Sequence, residues 1–521
     1  MSRNHILSID QGPTSTRAVV FDKSGQPLGT AQKPHRQIFP HAGWVSHDPK
    51  EIFESALETA MEAIEISGLT QKDIAAMGIT NQRETLVLWD IRTGKPICDA
   101  IVWQCRRSAN ICAQMERDGM TQLVRERTGL LIDPYFTATK IKWAIDNISQ
   151  VRLLMEQGHL RAGTIDSYLI FCLTKGKYHI TDYTNAARTM LFDIVKGCWD
   201  KDILNYLGID EAILPQVVSS SGIVAHTSAE YFDIPIAGIA GDQHAALFGQ
   251  AGIHPGDAKN TYGTGCFLLK NIGDEALIKP GGLLTTIAWH INGKTTYALE
   301  GGIFNAGSAV EWLIRELKLA KDVQEINDIC NSTPDTDGAY FVPAFSGLGA
   351  PYWDMYARGT ICGLSLSTSK NHIVRAVMES IAFQSRDLID HMNEVAGLPL
   401  PQHQAPKRSP DDLHGWRFPQ QTVLKVDGGV SKSDFTMQFQ ANLLDIPVER
   451  PKYTETTALG ACYLAALGVG LFTDMQEIAH SRAVDKVFIP SAPRVEVEEQ
   501  YKLWRKAVKR AEGWLNTEYD K

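Results

Sequence analysis

Three short loops follow apolar, strand-like runs and carry residue types that hold phosphate. The first is Asp10-Gln11-Gly12-Pro13-Thr14-Ser15, after residues 6–10. A carboxylate at such a strand end can hold Mg²⁺, directly or through water, while hydroxyls and N–H groups face a phosphate. The second is Tyr262-Gly263-Thr264-Gly265-Cys266, where glycine lets backbone approach an anion closely. The third is Asp427-Gly428-Gly429, after residues 423–426. Any one of them alone reads as an ordinary turn. Three at strand ends, in two related halves, point to a nucleotide held in a cleft between domains. A GxxxxGK[ST] run is absent, as is a GxGxxG beside HRD, so neither the P-loop nor the protein-kinase route applies.

A second group could bind a small polar molecule. Asn81-Gln82-Arg83-Glu84-Thr85 and Trp103-Gln104-Cys105-Arg106-Arg107 each follow an apolar strand, and Asp242-Gln243-His244 follows residues 234–240. Singly, each reads as a solvated loop or a local ion pair. Together they could make a pocket in which Arg83 and Glu84 bind hydroxyls in opposite hydrogen-bonding senses and an aromatic ring covers the carbon face. Asp242 could then take a proton from an attacking hydroxyl. His244 ranks second as a base, because a histidine beside a strand end is more often structural.

The elements that must position these groups alternate. Residues 6–10 and 17–22 read as a hairpin, and Asp48-Pro49 opens a helix to about residue 66. Strands follow at 75–80 and 85–89. The second half restarts with strands around the 262–266 loop, a strand at 296–300, a helix at 305–319 and a long helix at 371–395. A strand at 423–427 and helices at 434–444 and 456–467 follow. Strands alternating with helices predict an α/β protein with helices packed on sheets. A boundary falls near 248–258, dividing the chain into domains 1–250 and 251–521. The Pro-, His- and Gln-rich stretch 399–420 reads as a surface insertion.

The chain has 521 residues, 44% hydrophobic and 21% charged, with a formal net charge of −9. That composition is globular, too long for one ordinary core, and against a nucleic-acid partner held by a basic face. No run approaches the roughly 20 apolar residues of a membrane helix, so stable membrane insertion is not expected. Nine cysteines, with Cys98, Cys105 and Cys112 seven apart, match neither a zinc knuckle nor a CxxC pair. Reduced thiols in a cytoplasmic protein are expected.

The longer motifs add a resemblance. They are GITNQRET (78–85), IVWQCRR (101–107), DPYF (133–136), TDYTNAARTMLF (181–192), AGDQHAALFGQ (240–250), KNTYGTGCF (259–267), GLGAPYWD (347–354) and TALGACYLAAL (457–467). With Tyr135, Lys140 and Trp143, and with Gly359, Gly363, His372, Ile373, Ala376 and Glu379, the chain resembles the FGGY carbohydrate-kinase family over nearly its whole length. NQRET with WQCRR resembles its glycerol branch rather than the xylulose, gluconate or ribulose branches. The resemblance implies two ribonuclease H-like domains of the actin-like ATPase type, with a nucleotide cleft between them. It implies transfer from ATP, with Mg²⁺, to glycerol, giving sn-glycerol 3-phosphate. It implies Arg83, Glu84, Trp103, Tyr135, Asp242, Gln243 and Phe267 in the polyol pocket, Asp242 as general base and Asp10 positioning Mg²⁺. It implies Thr14, Ser15, Arg17, Thr264, Gly307 and Gly429 at the nucleotide, and a homodimer or homotetramer. A kinase for another small polyol or ketose, or a catalytically weakened regulatory protein, are the alternatives.

Three departures fall on the nucleotide side. Pro13 stands where the family usually has Thr, Glu311 where Gln is usual, and Ser433 where Asn is usual. Glu311 and Ser433 keep their places among the nucleotide-binding candidates. Proline removes an N–H and a hydroxyl from the first phosphate loop, which weakens ATP binding or turnover unless neighbouring groups compensate. His244 likewise replaces a common Gln.

Overall fold

The computed structural model describes residues 3–278, 281–397 and 423–515. The 399–420 insertion expected from sequence lies outside these residues. The opening hairpin forms as expected. Strand β1 (His5–Gln11) pairs antiparallel with β2 (Ser15–Phe21), which pairs with β3 (Pro27–Pro34). Helix α1 (Pro49–Ile66) starts at proline, with the Asp48 side chain accepting the Lys50 N–H. Its apolar face, Ile52, Ala56, Ala60 and Ile64, packs into the core beneath this sheet. Strands β4 (Ile74–Asn81), β5 (Ser221–His226) and β6 (Pro235–Gly241) complete six strands in the order β5-β6-β4-β1-β2-β3.

Because β1, β4 and β6 are mutually parallel, their C-terminal ends share one edge. Thr80 is level with both Asp10 and Ala240, and Asn81 with Gln11 and Gly241. Asp10, the 82–85 turn and Asp242 therefore emerge together. This is where parallel sheets place ligands, since chain leaves the strands there.

The second sheet repeats the plan. Strands β7 (Ala258–Tyr262), β8 (Cys266–Gly273), β9 (Leu284–Ile291), β10 (Lys294–Ile303), β11 (Leu424–Asp427), β12 (Val448–Pro451) and β13 (Val484–Phe488) lie in the order β9-β10-β8-β7-β11-β12-β13. The hairpin β7–β8 matches β1–β2, and β11 runs parallel to β7 as β4 does to β1. Each half thus presents a hairpin loop and a parallel strand end at one edge.

Helix α2 (Asp242–Gly249) follows β6 directly. Helix α3 (Gly307–Arg315) is shorter than the expected 305–319. Ala306 is non-helical and gives its N–H to Thr264 O, and after Trp312 the chain closes with a wider turn from Leu317. The long helix α4 (Lys370–Ala396) caps at Ser369 and ends at Gly397 in the left-handed region. Helix α5 (Thr456–Gly468) comes from the second half yet packs on the first sheet and on α2. Glycines permit this. A Cβ on Gly460 would lie 1.8 Å from Ala245 O, and one on Gly78 2.2 Å from Ala461 O. A core cluster therefore mixes both halves, joining Ile6, Ala76 and Ala237 with Trp289, Ala298, Leu459 and Leu464.

Helix α6 (Arg494–Ala511) is tied to α4 through Asp387, whose two oxygens accept Tyr501 OH and Trp504 Nε1, each at 2.7 Å. Burial raises this carboxyl to about 6 against those hydrogen bonds. The folded value exceeds the ordinary 3.8, so its stabilising contribution is full below pH 4 and is lost as pH rises through about 6. Two units correspond to about 3 kcal/mol. Asp387→Asn should flatten this part of the decline in urea midpoint between pH 4 and 7. It should start lower, because an amide has one acceptor oxygen; an unchanged slope would assign the pH dependence elsewhere.

Candidate active site

The 81–85 run is not a solvated loop. Arg83 and Glu84 are 3% and 1% exposed. The turn closes through Thr85 N–H to Arg83 O at 2.7 Å, with Glu84 at φ +59°. Left-handed backbone is unusual for glutamate, and surrounding bonds hold it. Lys140 Nζ (2.9 Å) and Thr137 Oγ1 (3.1 Å) both donate to Glu84 O. That turn delays the next strand, expected at 85–89, to Val87–Asp90.

Arg83 is the hub. Its Nη1 and Nη2 donate to the two oxygens of Glu300 at 2.6 and 2.9 Å, and its Nε lies 3.0 Å from Asp242 Oδ1. Arg188 Nε donates to Glu84 at 2.7 Å, and its Nη2 reaches Glu300 at 3.3 Å. Two cations and two carboxylates are thus buried together, with Asp242 at their partly exposed margin. Burial raises the Glu84 carboxyl, opposed by Arg83 and Arg188. At Glu300 the two guanidinium groups outweigh burial and hold the carboxyl far below its ordinary range.

Asp242 opens α2, directly after Gly241. Gly241 N–H donates to Thr184 Oγ1 at 2.9 Å, and that hydroxyl donates to Asp182. Gln243 is held by Lys259, which also donates to Thr261 Oγ1 (2.8 Å) and Phe267 O (3.2 Å). Burial brings the Lys259 ammonium down to about 8, with Asp427 and Asp242 opposing. Trp103 and Tyr135 meet edge to face with centroids 5.5 Å apart, and Lys140 fixes Tyr135 O at 2.6 Å. The polyol-pocket candidates therefore converge on one network. His244 lies beneath it, fully buried with Nε2 facing Thr286 Oγ1 at 3.3 Å. That makes it a structural histidine.

The phosphate-loop candidates occupy the two facing edges. Asp10 ends β1, and burial pushes it up to about 7, with Arg17 opposing and Asp242 and Glu455 adding. Arg17 pairs with Glu455 and donates to Gln32, which in turn holds Ser15 Oγ at 2.8 Å. Thr14 is exposed at the loop tip. Across the site, Thr264 O accepts the Ser308 N–H at 3.1 Å, and a Cβ on Gly307 would lie 2.5 Å from Gly263 O. Asp427 ends β11 with its buried Oδ1 unpartnered. Gly429 is exposed, with open space where a Cβ would point.

Two candidates are less free. Ser433 is buried, donates to Asn327 Oδ1 at 2.6 Å and accepts from Thr436, so its hydroxyl caps the next helix. Glu311 is largely exposed on α3, 3.9 Å from Arg315. Sequence reasoning missed Glu300, Arg188 and Lys259, and gave Lys140 no role. Their signal was a lone charge inside an apolar or small-residue run, as in YALEGG or NAART.

Among the described residues there is no group of three His, Cys, Asp or Glu that could hold a metal. Mg²⁺ keeps water and substrate phosphates and needs only one or two carboxylates. Asp10, with Arg17, Asp242 and Glu455 as its charged neighbours, fits such a role.

Comparison with known proteins places this geometry. Residues 5–249 match the N-terminal domain of the FGGY family of carbohydrate kinases, and residues 258–469 match its C-terminal domain. The chain is 52% identical over 512 residues to glycerol kinase 2 of Thermotoga maritima, covering 98% of this chain and 99% of that one. It is 50% identical over 515 residues to glycerol kinase of Alkaliphilus metalliredigens, with the same coverage. The crystal structure of Plasmodium falciparum glycerol kinase with ADP superposes with a TM-score of 0.89 at 36% identity, over 98% of each chain. The fold is thus a two-domain α/β fold of the actin-like ATPase type. The chain belongs to the FGGY family of carbohydrate kinases.

Glu300→Gln leaves two buried guanidinium groups short of a carboxylate. Loss of one partner of a buried pair costs about 3–5 kcal/mol. Urea unfolding should show that loss, whereas Glu311→Gln at the exposed pair should change stability by less than about 1 kcal/mol. Equal effects would deny the cluster its structural weight.

Proposed function

We propose that this chain transfers the γ-phosphoryl group of ATP to glycerol, giving ADP and sn-glycerol 3-phosphate. The observation that carries this reading is the Asp242 carboxylate, held by Arg83 Nε at 3.0 Å beside buried Arg83 and Glu84 and on the same sheet edge as Asp10. The ~50% identity to glycerol kinases over nearly the full length supports the acceptor.

Asp242 takes the proton from the attacking hydroxyl, and its ion pair with Arg83, 3.0 Å away, orients it for that task. Arg83 donates to one glycerol hydroxyl and Glu84 accepts from another. An analogue lacking a hydroxyl leaves one of these buried groups unpaired, which sets the selectivity. Trp103, Tyr135 and Phe267 cover the carbon face, and Lys259 keeps Gln243 and the Phe267 carbonyl in place. The 12–15 and 263–265 loops, with Arg17, Thr264, Gly307 and Gly429, hold the nucleotide. Asp10 would hold Mg²⁺, directly or through water, and the bound ion would supply charge neutralisation at the phosphates. Both halves line this site, and their division at residue 250 makes each a domain. Closing them excludes water and suppresses ATP hydrolysis.

No helix among the described residues is long and apolar enough to cross a membrane, and all nine cysteines are free. A cytoplasmic enzyme, associating as a dimer or tetramer, completes the proposal.

Offered glycerol, dihydroxyacetone, erythritol, xylitol and D-xylulose with ATP and Mg²⁺, the protein should phosphorylate glycerol preferentially. Asp242→Asn should lower kcat by roughly 10²–10⁴-fold, the usual range for a general base. Preference for a longer polyol or a ketose would replace the substrate within the family. Ligand binding without transfer would mark a catalytically weakened regulatory protein.

A further inference from the structure

Pro13 leaves the first phosphate turn short of one backbone donor. Gly12 N–H is already used inside the turn, bonded to Ser15 O at 2.9 Å. Proline fixes its own φ but offers no N–H through which neighbours could hold it. Its carbonyl is held instead. His35 Nε2 lies 2.9 Å from Pro13 O, and Gln37 Nε2 donates to the same oxygen at 2.8 Å. Both lone pairs of that carbonyl therefore face a donor.

Behind these two donors stands a directed chain. Gln37 Oε1 lies 2.9 Å from His47 Nε2, and His47 Nδ1 lies 3.3 Å from Gln82 Nε2. An amide NH₂ only donates, so Nδ1 of His47 accepts and Nε2 carries the hydrogen. Complete burial favours this neutral form, lowering the imidazole to about 3. The two imidazoles, His35 and His47, meet edge to face at 4.7 Å. Gln82 also donates to Gln11 Oε1 at 3.0 Å and lies 3.3 Å from Gly12 O. His35 N–H adds a bond to Thr14 O at 3.1 Å. Every member of the 11–14 turn is thus touched by one connected network, in which the two hydrogens of the Gln82 amide are shared among three acceptors.

We propose that His35 and Gln37, oriented through His47 and Gln82, are positioning residues for the first phosphate turn. They hold the Pro13 carbonyl, so the turn keeps its shape for a nucleotide phosphate without the N–H and hydroxyl that Pro13 lacks. The inference rests on the ATP-dependent reading above and names two residues that neither touch substrate nor carry charge to it. Gln37 is only half-buried, so its replacement tests the turn without opening the core.

Gln37→Met and His35→Phe each remove one donor while keeping size. Steady-state kinetics would vary ATP at saturating glycerol and glycerol at saturating ATP. Calorimetry would titrate ADP with Mg²⁺, and melting would be followed. Each variant should raise the KM for ATP and the Kd for ADP roughly three- to tenfold, the loss of one net hydrogen bond. The KM for glycerol and the melting temperature should stay near the parent's. Gln37→Glu, which sets a carboxylate against the carbonyl, should lose more than Gln37→Met. Unchanged ATP and ADP constants in both variants would overturn the proposal, as would an equal rise in both KM values. A parent that binds ADP but transfers nothing would sink the enzymatic reading alone, and the ADP titration would still decide the brace. A parent that binds no ADP would overturn both.

Discussion

Four charges buried together, Arg83, Glu84, Arg188 and Glu300, set the terms for the rest of the molecule. Each alone would cost several kcal/mol to take out of water. Together they are neutral, and the bidentate Arg83–Glu300 pair supplies the geometry that makes such burial tolerable. The members come from the 82–85 turn, from residue 188 and from β10 of the second sheet. The cluster can exist only when both sheets stand in one relative position. Satisfying it therefore aligns the edges that carry Asp10, Asp242 and Thr264. Chemistry and folding draw on the same contacts: Asp242 is held by the guanidinium that also closes the cluster.

The packing around it is as constrained as the charge. Glycines at 78, 238, 249 and 460 let helix α5 lie against the first sheet and α2 with backbone nearly touching backbone. Ser8 Oγ donates to Ala458 O and Ser221 Oγ to Leu464 O, sealing the seam with polar contacts. The two halves are thus interleaved rather than merely adjacent.

Local chemistry was legible in the sequence, and long-range pairing was not. Asp48-Pro49 announced its helix, residues 371–395 announced the longest one, and the hairpin around Gly12 was readable from its turn residues. The three candidate phosphate loops stood out because each joins an apolar run to small and polar residues. What periodicity could not say was that Asn81 to Thr85, polar throughout, is buried. Its partners lie at residues 140, 188 and 300, and no local pattern encodes a distance of more than two hundred residues. Glu300 stood in the sequence only as the end of a strand, and its partners Arg83 and Arg188 come from the other half of the chain. Ser433 carries a local role that the sequence did not show: its hydroxyl caps the next helix and donates to Asn327.

The placement of α5 also orders the making of the molecule. The first sheet begins at residue 5, yet the helix that covers one of its faces ends at residue 468. A ribosome adds on the order of 5–20 residues per second and the N-terminal part folds first. From the time β6 emerges, the small-residue face at Gly78, Gly238 and Ala245 must wait for more than two hundred further residues. During synthesis that face is a docking surface without its occupant, flat, apolar and open to any other chain. Completion of the nascent protein, rather than of its first half, is the event that removes the hazard.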